Sequence, residues 1–308
     1  MVLALFLLIA GAAILTVGAE AAIRAAGKLA MSRGISAFTL GALLFGIDIE
    51  SLGAALIASG RNQPAIAAGE AFGTIVFLFG VGFGIALLVA RGPVRSPSQP
   101  MVLWPAAGLV LCALALWDER LTRYDGFVLV LAYILYIGAV LREGHAARAV
   151  GEHIEHEASE ARRVPPVALL IGGLVLVYVG ANVLVGGGIR ILDRTDLTAG
   201  FVGAAIIGAL ASADEVLLEV LPVRRGMTEL ATGNLFGTVA AFSTAVIGLA
   251  ALIRPVDLDS SAESAFLAAA VMYTVVATAF LVRGKAGKVV GVTLVLLYGT
   301  WVVLAARI

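Results

Sequence analysis

Five carboxylates fall inside long apolar stretches of this chain: Asp48 and Glu50 in one, and Asp214, Glu215 and Glu219 in another. Neither stretch holds an internal Lys or Arg, since Arg61 and Arg224 come only at their ends. An acid at the centre of a membrane helix costs about 2.5–3.5 kcal/mol on insertion scales, so several together require neutralisation. Without basic partners three solutions remain: a proton, a water-filled cavity or a bound cation. Asp48 and Glu50 lie two positions apart and face different sides of a helix unless it breaks there; Gly46 and Gly53 flank them and permit a break. Glu219 precedes Arg224 closely and is expected to snorkel to the surface beside it. Ser51, Thr74, Ser212 and Thr238 add hydroxyl oxygens, Asn234 an amide oxygen and Glu70 a further carboxylate. Such an oxygen-rich set suits a hard cation. The blander reading of the Gly/Ala/Thr content around these residues is close helix packing.

The elements that must position these groups are membrane helices. Of 308 residues, 61% are hydrophobic and 14% charged, where a soluble domain carries roughly 25% charged residues. A soluble globular protein is excluded. The formal charge is zero, so no basic excess argues for nucleic acid. At about 20 residues per crossing, ten spans are expected near 2–23, 37–60, 64–90, 101–117, 124–141, 166–188, 199–221, 228–252, 263–282 and 288–305. The first lacks a basic N-terminal flank and is read as a retained helix rather than a cleaved signal. Fourteen of the 21 basic residues fall in the loops after the odd-numbered spans. The positive-inside rule then puts both termini outside and the 142–165 linker in the cytoplasm, in a multi-pass cell membrane protein of prokaryotic type.

Two segments resemble each other at a spacing of 162–164 residues. Val17-Gly18-Ala19-Glu20 recurs as Val179-Gly180-Ala181-Asn182, and Ala67-Ala68-Gly69-Glu70-Ala71-Phe72-Gly73-Thr74 as Ala231-Thr232-Gly233-Asn234-Leu235-Phe236-Gly237-Thr238. Matching blocks in one order at near-constant offset predict two five-helix repeats, 1–141 and 166–308. An odd number of spans per half makes them enter the membrane in opposite directions. The expected fold is an all-α polytopic membrane protein of about ten helices in two inverted-topology repeats, an architecture of secondary transporters.

On these motifs the chain resembles the calcium/cation antiporter superfamily, which includes the sodium/calcium exchangers. That family carries two inverted copies of Gly-Thr-Ser-x-Pro-Glu followed by Gly-Asn-x-x-Gly-Ser-Asn. Here Gly46-Ile47-Asp48-Ile49-Glu50-Ser51 occupies the first copy, with Asp48 in the Ser slot, Glu50 in the Pro slot and Ser51 in the Glu slot. Ala211-Ser212-Ala213-Asp214-Glu215 looks like the second, with Glu215 in the Glu slot; a competing alignment puts Ala213 there. The later motif survives as Gly69-Glu70-Ala71-Phe72-Gly73-Thr74 and Gly233-Asn234-Leu235-Phe236-Gly237-Thr238, while Leu78 and Phe242 fill slots where exchangers commonly keep Asn or Asp. The resemblance implies a secondary-active antiporter, not an enzyme, exchanging calcium for sodium by alternating access. The metal-binding set it implies is Asp48, Glu50, Ser51, Glu70, Thr74, Ser212, Asp214, Glu215, Asn234 and Thr238. Spans 1 and 6, carrying Glu20 and Asn182, would slide across the core. Proton-coupled exchange of calcium or another cation is the runner-up, favoured by the acids at positions 48 and 70. A non-transporting scaffold or a channel is the alternative from another class.

No resident cofactor is expected; the implied partners are membrane lipid and transported calcium, sodium or protons. There is no Walker motif, and Gly80-Val81-Gly82-Phe83-Gly84 lies in an apolar helix as a packing feature. Within the linker, His153, His156 and Glu157 would share a helical face as a metal or pH sensor, against the simpler reading of a solvated amphipathic connector. Cys112, flanked by Val, Leu and Ala, reads as an inert packed thiol.

Overall fold

Apolar runs without polar backbone partners fold as helices in lipid, because only there is every N–H and C=O satisfied within the segment. A computed structural model describes residues 1–32, 48–143, 165–226 and 228–308. Gly46, the first half of the second expected span and the linker histidines lie outside the described residues. The helices in order are α1 (Val2–Ser32), α2 (Ile49–Gly60), α3 (Pro64–Val89), α4 (Gln99–Ala115), α5 (Arg123–Glu143), α6 (Pro166–Leu192), α7 (Ala199–Ala211), α8 (Glu215–Arg224), α9 (Thr228–Ile253), α10 (Ser260–Arg283) and α11 (Lys288–Ala305). Among the described residues seven are long and apolar enough to cross a bilayer, or eight when α7 and α8, bent by 54° at their junction, count as one broken span. The shorter α2 and α4 are also apolar. The protein is therefore an all-helical polytopic membrane protein, apart from four two-residue strands at the helix ends.

Those strands form two antiparallel ribbons. The first pairs β1 (Val94–Arg95) with β4 (Lys285–Ala286), and the second β2 (Arg120–Leu121) with β3 (Val256–Asp257). Each ties the early half of the chain to the late half.

Helices α3 and α9 form the centre, with 72% and 83% of their apolar windows buried, whereas α1, α6 and α11 keep most of theirs exposed to lipid. Small residues decide how the helices meet, since lipid gives no hydrophobic drive for helix association. A Cβ on Gly18 would lie 2.6 Å from Val177 N, and one on Gly180 2.5 Å from Leu15 N, so α1 and α6 cross backbone to backbone. The same applies where α3 crosses α7: a Cβ on Gly69 would meet Gly200 O at 2.1 Å, and one on Gly73 would meet Ala204 Cα at 2.2 Å. A Cβ on Gly80 would strike Tyr298 at 2.3 Å, which makes the Gly-rich run of α3 a packing surface.

Three helices contain widened π-type turns: Leu78–Phe83 in α3, Val202–Gly208 in α7 and Ala241–Val246 in α9. Such turns leave carbonyls without their usual helical donor. In α9 the Ser243 hydroxyl donates to Val239 O at 2.6 Å and that of Thr244 to Ala240 O, four residues back in each case. Leu78 and Phe242 are fully buried in these turns. Cys112 is buried as well.

Candidate cation site

The site forms where α3 crosses the break between α7 and α8. The α3–α7 crossing admits no side chain, so Thr74 is pressed against Ser212, the residue at which α7 ends. Ser212 Oγ lies 3.2 Å from Thr74 Oγ1 and 3.0 Å from Ser51 Oγ, near the start of α2. All three hydroxyls are fully buried. Glu70, one turn before Thr74, sits beside Ser51 and Thr74 and is 0% exposed. Among the described residues neither of its carboxylate oxygens has a hydrogen-bond partner. A carboxylate buried this way is tolerated only when its charge is neutralised.

The other acids surround this core and are separately engaged. Asp48 is the N-cap of α2, and its carboxylate accepts from Glu50 N at 2.8 Å and Ser51 N at 3.2 Å. That satisfies two of the orphan N–H groups at the helix start and places the negative charge at the positive end of the helix dipole. The break expected around Asp48 thus takes the form of a helix start. Gly53 instead lets α6 approach, with its Cβ position 3.0 Å from Val177 Cγ1. Glu50 is buried and accepts from Thr16 Oγ1 of α1 at 2.9 Å. Asp214 caps α8 in the same position but makes no side-chain cap bond, and it stands exposed at the break. Glu215 occupies the first turn of α8, buried, with Oε2 unpartnered, whereas Ala213 is exposed.

Glu219 corrects the snorkelling expectation. It is 0% exposed, accepts a 3.2 Å hydrogen bond from Asn234 Nδ2 on α9, and leaves Oε2 without a partner. Its Cγ comes 3.3 Å from where a Cβ on Gly82 would stand. The bend after Ser212 turns this face of α8 toward α3 and α9, and glycine at position 82 gives it room. Thr238, one turn beyond Asn234, is also buried with an unpartnered hydroxyl.

Of the ten residues expected to bind metal, the structure joins Ser51, Thr74 and Ser212 by hydrogen bonds, with Glu70 beside them. The rest are distributed around that core. Among the described residues no three Asp, Glu, His or Cys side chains stand close enough to hold one metal ion. The physical reasons are visible: Asp48 is bonded to the α2 N-terminus, Glu50 to Thr16, and Asp214 is turned outward. The donors are all oxygens, however, the chemistry of hard-cation ligation. Glu20 is exposed and ion-paired with Arg24 at 2.9 Å. The Asn182 amide is bonded to Tyr178 O at 2.8 Å, so neither enters the core.

Comparison with known proteins places this geometry in context. A family model described as sodium/calcium exchanger protein matches residues 3–142 and 165–307. An uncharacterized membrane protein of Methanocaldococcus jannaschii is 24% identical over 294 residues, covering 94% of this chain and 93% of that one. The sodium-calcium exchanger NCX_Mj superposes with a TM-score of 0.62 at 20% identity, covering 98% of both chains. The H+/Ca2+ exchanger CAX superposes with a TM-score of 0.76 at 14% identity, covering 99% of this chain and 87% of that one. At these identities the two structures establish a shared fold.

Proposed function

The chain belongs to the sodium/calcium exchanger protein family, and from that premise we propose that it is a secondary-active antiporter exchanging calcium for sodium by alternating access. The observation that carries the reading is Glu70, a carboxylate with no exposure and, among the described residues, no partner on either oxygen, set beside the Ser51–Ser212–Thr74 hydroxyls. A bound cation would neutralise it there. Glu50, Asp48, Asp214, Glu215, Asn234 and Thr238 supply the surrounding oxygens, some reaching the ion only when α1, α2 or α8 shifts. Two competing cations neutralise the same charges, so both cannot be held at full strength together, and that exclusion couples their movements.

The architecture that serves this is ten spans in two inverted repeats, 1–141 and 166–308, joined by the 142–165 linker. Support comes from features recurring in matching places. The α2–α3 turn carries Asn62 at φ 62° and the α8–α9 turn Gly226 at φ 82°. Widened turns recur in α3 and α9. The ribbons β1–β4 and β2–β3 exchange partners between halves, and so do the close approaches Gly84–Gly291 and Gly126–Gly248. Helices α1 and α6, locked together through Gly18 and Gly180 and largely facing lipid, are suited to move as one body across the core. The linker is assigned to the cytoplasm and both termini to the outside.

Proton-coupled exchange is the second reading. It is favoured by Glu70, fully buried with neither oxygen in a hydrogen bond among the described residues, and by Leu78 and Phe242, which remove two polar side chains from the centre. Calcium uptake into proteoliposomes distinguishes the readings. Uptake driven by an outward sodium gradient supports the first, and uptake driven only by a pH gradient supports the second. No uptake under either gradient refutes calcium as cargo and leaves a scaffold, a channel or another cation.

A further inference from the structure

Away from the carboxylates, a cavity of about 430 Å³ opens at one end of the bundle, between the loop after α3 and the α8–α9 turn. Three of its lining residues are arginines: Arg91, which follows α3, and Arg224 and Arg225, which end α8. Among the described residues no acidic one lines it. Among the described residues none of these guanidiniums has an ion pair or hydrogen-bond partner. Three arginines elsewhere are tied down, Arg120 to Asp257, Arg123 to Ile253 O and Arg61 to Asn182 O, whereas Arg254 and Arg283 are unpaired among the described residues but do not line this cavity. Glu229, adjacent to the lining residue Thr228, is exposed and does not line the cavity.

Thr228 also begins α9, so the N-terminal end of a long helix stands at the cavity wall. Gly226, with no atom within 4 Å of a Cβ position, leaves the mouth open. Since α3 and α8 both end here, the cavity sits at the level of lipid headgroups. Planar guanidiniums bind phosphate oxygens in bidentate fashion, and basic pockets between membrane helices receive anionic headgroups.

We propose that this cavity is a binding site for a phosphate group, held by Arg91, Arg224 and Arg225. It bridges α3, which carries Glu70, and α8, which carries Glu215 and Glu219, so its occupant fastens together two helices of the cation site. The inference rests on the membrane-spanning fold and is independent of which cations are exchanged.

The test uses the full chain in nanodiscs of phosphatidylcholine doped with phosphatidylglycerol, counting retained phosphatidylglycerol by native mass spectrometry. Each arginine near an anionic surface contributes about a fivefold factor in affinity, so the triple variant Arg91→Gln, Arg224→Gln, Arg225→Gln should lose on the order of a hundredfold. A control, Arg283→Gln with Lys288→Gln, removes charges from the β4 flanks without touching the cavity and should change retention by no more than about twofold. Inorganic phosphate is titrated separately in pure phosphatidylcholine. Thermal stabilisation of the wild type but not the triple variant makes free phosphate an occupant; retention of phosphatidylglycerol alone makes the lipid the occupant. Equal binding by wild type and triple variant overturns the proposal, as does a control that loses as much as the triple. If the triple variant does not fold, Arg224→Gln alone must still show the fivefold loss.

Discussion

Replacing Gly73 by Ala tests whether the α3–α7 crossing positions the site. The added Cβ would stand 2.2 Å from Ala204 Cα and 2.4 Å from Ala204 O, both on the facing helix. Ordinary carbon contacts begin near ~3.5 Å, so the helices must part by about 1 Å. The Thr74–Ser212 hydroxyl contact is already 3.2 Å long, and such a retreat takes it beyond hydrogen-bonding range. Overpacking of this kind costs about 1–3 kcal/mol. It also moves Glu70 and Thr74 together away from Ser212, since they share one face of α3. We expect Gly73→Ala to melt several degrees below wild type and to lose transport by tenfold or more at subsaturating cation, roughly the effect of one lost hydrogen bond to a charged site. Gly60→Ala is the control, because nothing lies within 4 Å of its Cβ position. It should behave as wild type in both assays. A Gly73→Ala protein that melts within about 1 °C of wild type and transports at its rate would refute the reasoning.

Two further outcomes follow from the buried acids. Glu70→Gln removes a charge with no partner to lose, so the protein should fold with an equal or higher melting temperature while coupled flux disappears. A variant that still exchanges ions removes Glu70 from the site. Glu219→Ala frees the Asn234 amide, and loss of one buried hydrogen bond, about 0.5–1.5 kcal/mol, should raise the apparent cation KM by about two- to tenfold. The same substitution made in an Asn234→Ala background should add almost nothing, and full additivity would show that the two residues act independently.

Hydropathy made the helices legible, though α2 and α4 are shorter than a full crossing. Every described helix from α1 to α11 falls on an expected apolar run, because lipid allows that composition little else. The α3–α7 and α1–α6 crossings could be anticipated as glycine-rich faces, but not their partners, since spacing within one helix carries no information about which helix it meets. The hydroxyl core was named from the sequence, yet its arrangement was not. Whether Asp48 caps a helix or faces an ion depends on where α2 begins, and a residue or two decides that. Glu219 was misplaced for a similar reason. Its nearness to Arg224 in sequence suggested the surface, while the bend after Ser212 and the missing side chain at Gly82 turn it inward. The widened turns in α3, α7 and α9 leave no hydropathy signature.

Cations that compete for one set of carboxylates leave a kinetic signature. Calcium uptake should be measured in proteoliposomes over a range of calcium at several fixed concentrations of sodium, or of protons, on the same side. Shared carboxylates predict that the competitor raises the apparent KM for calcium in proportion to its concentration while the maximal rate stays constant. A falling maximal rate at unchanged KM would contradict it, because calcium and its competitor would then occupy different sites.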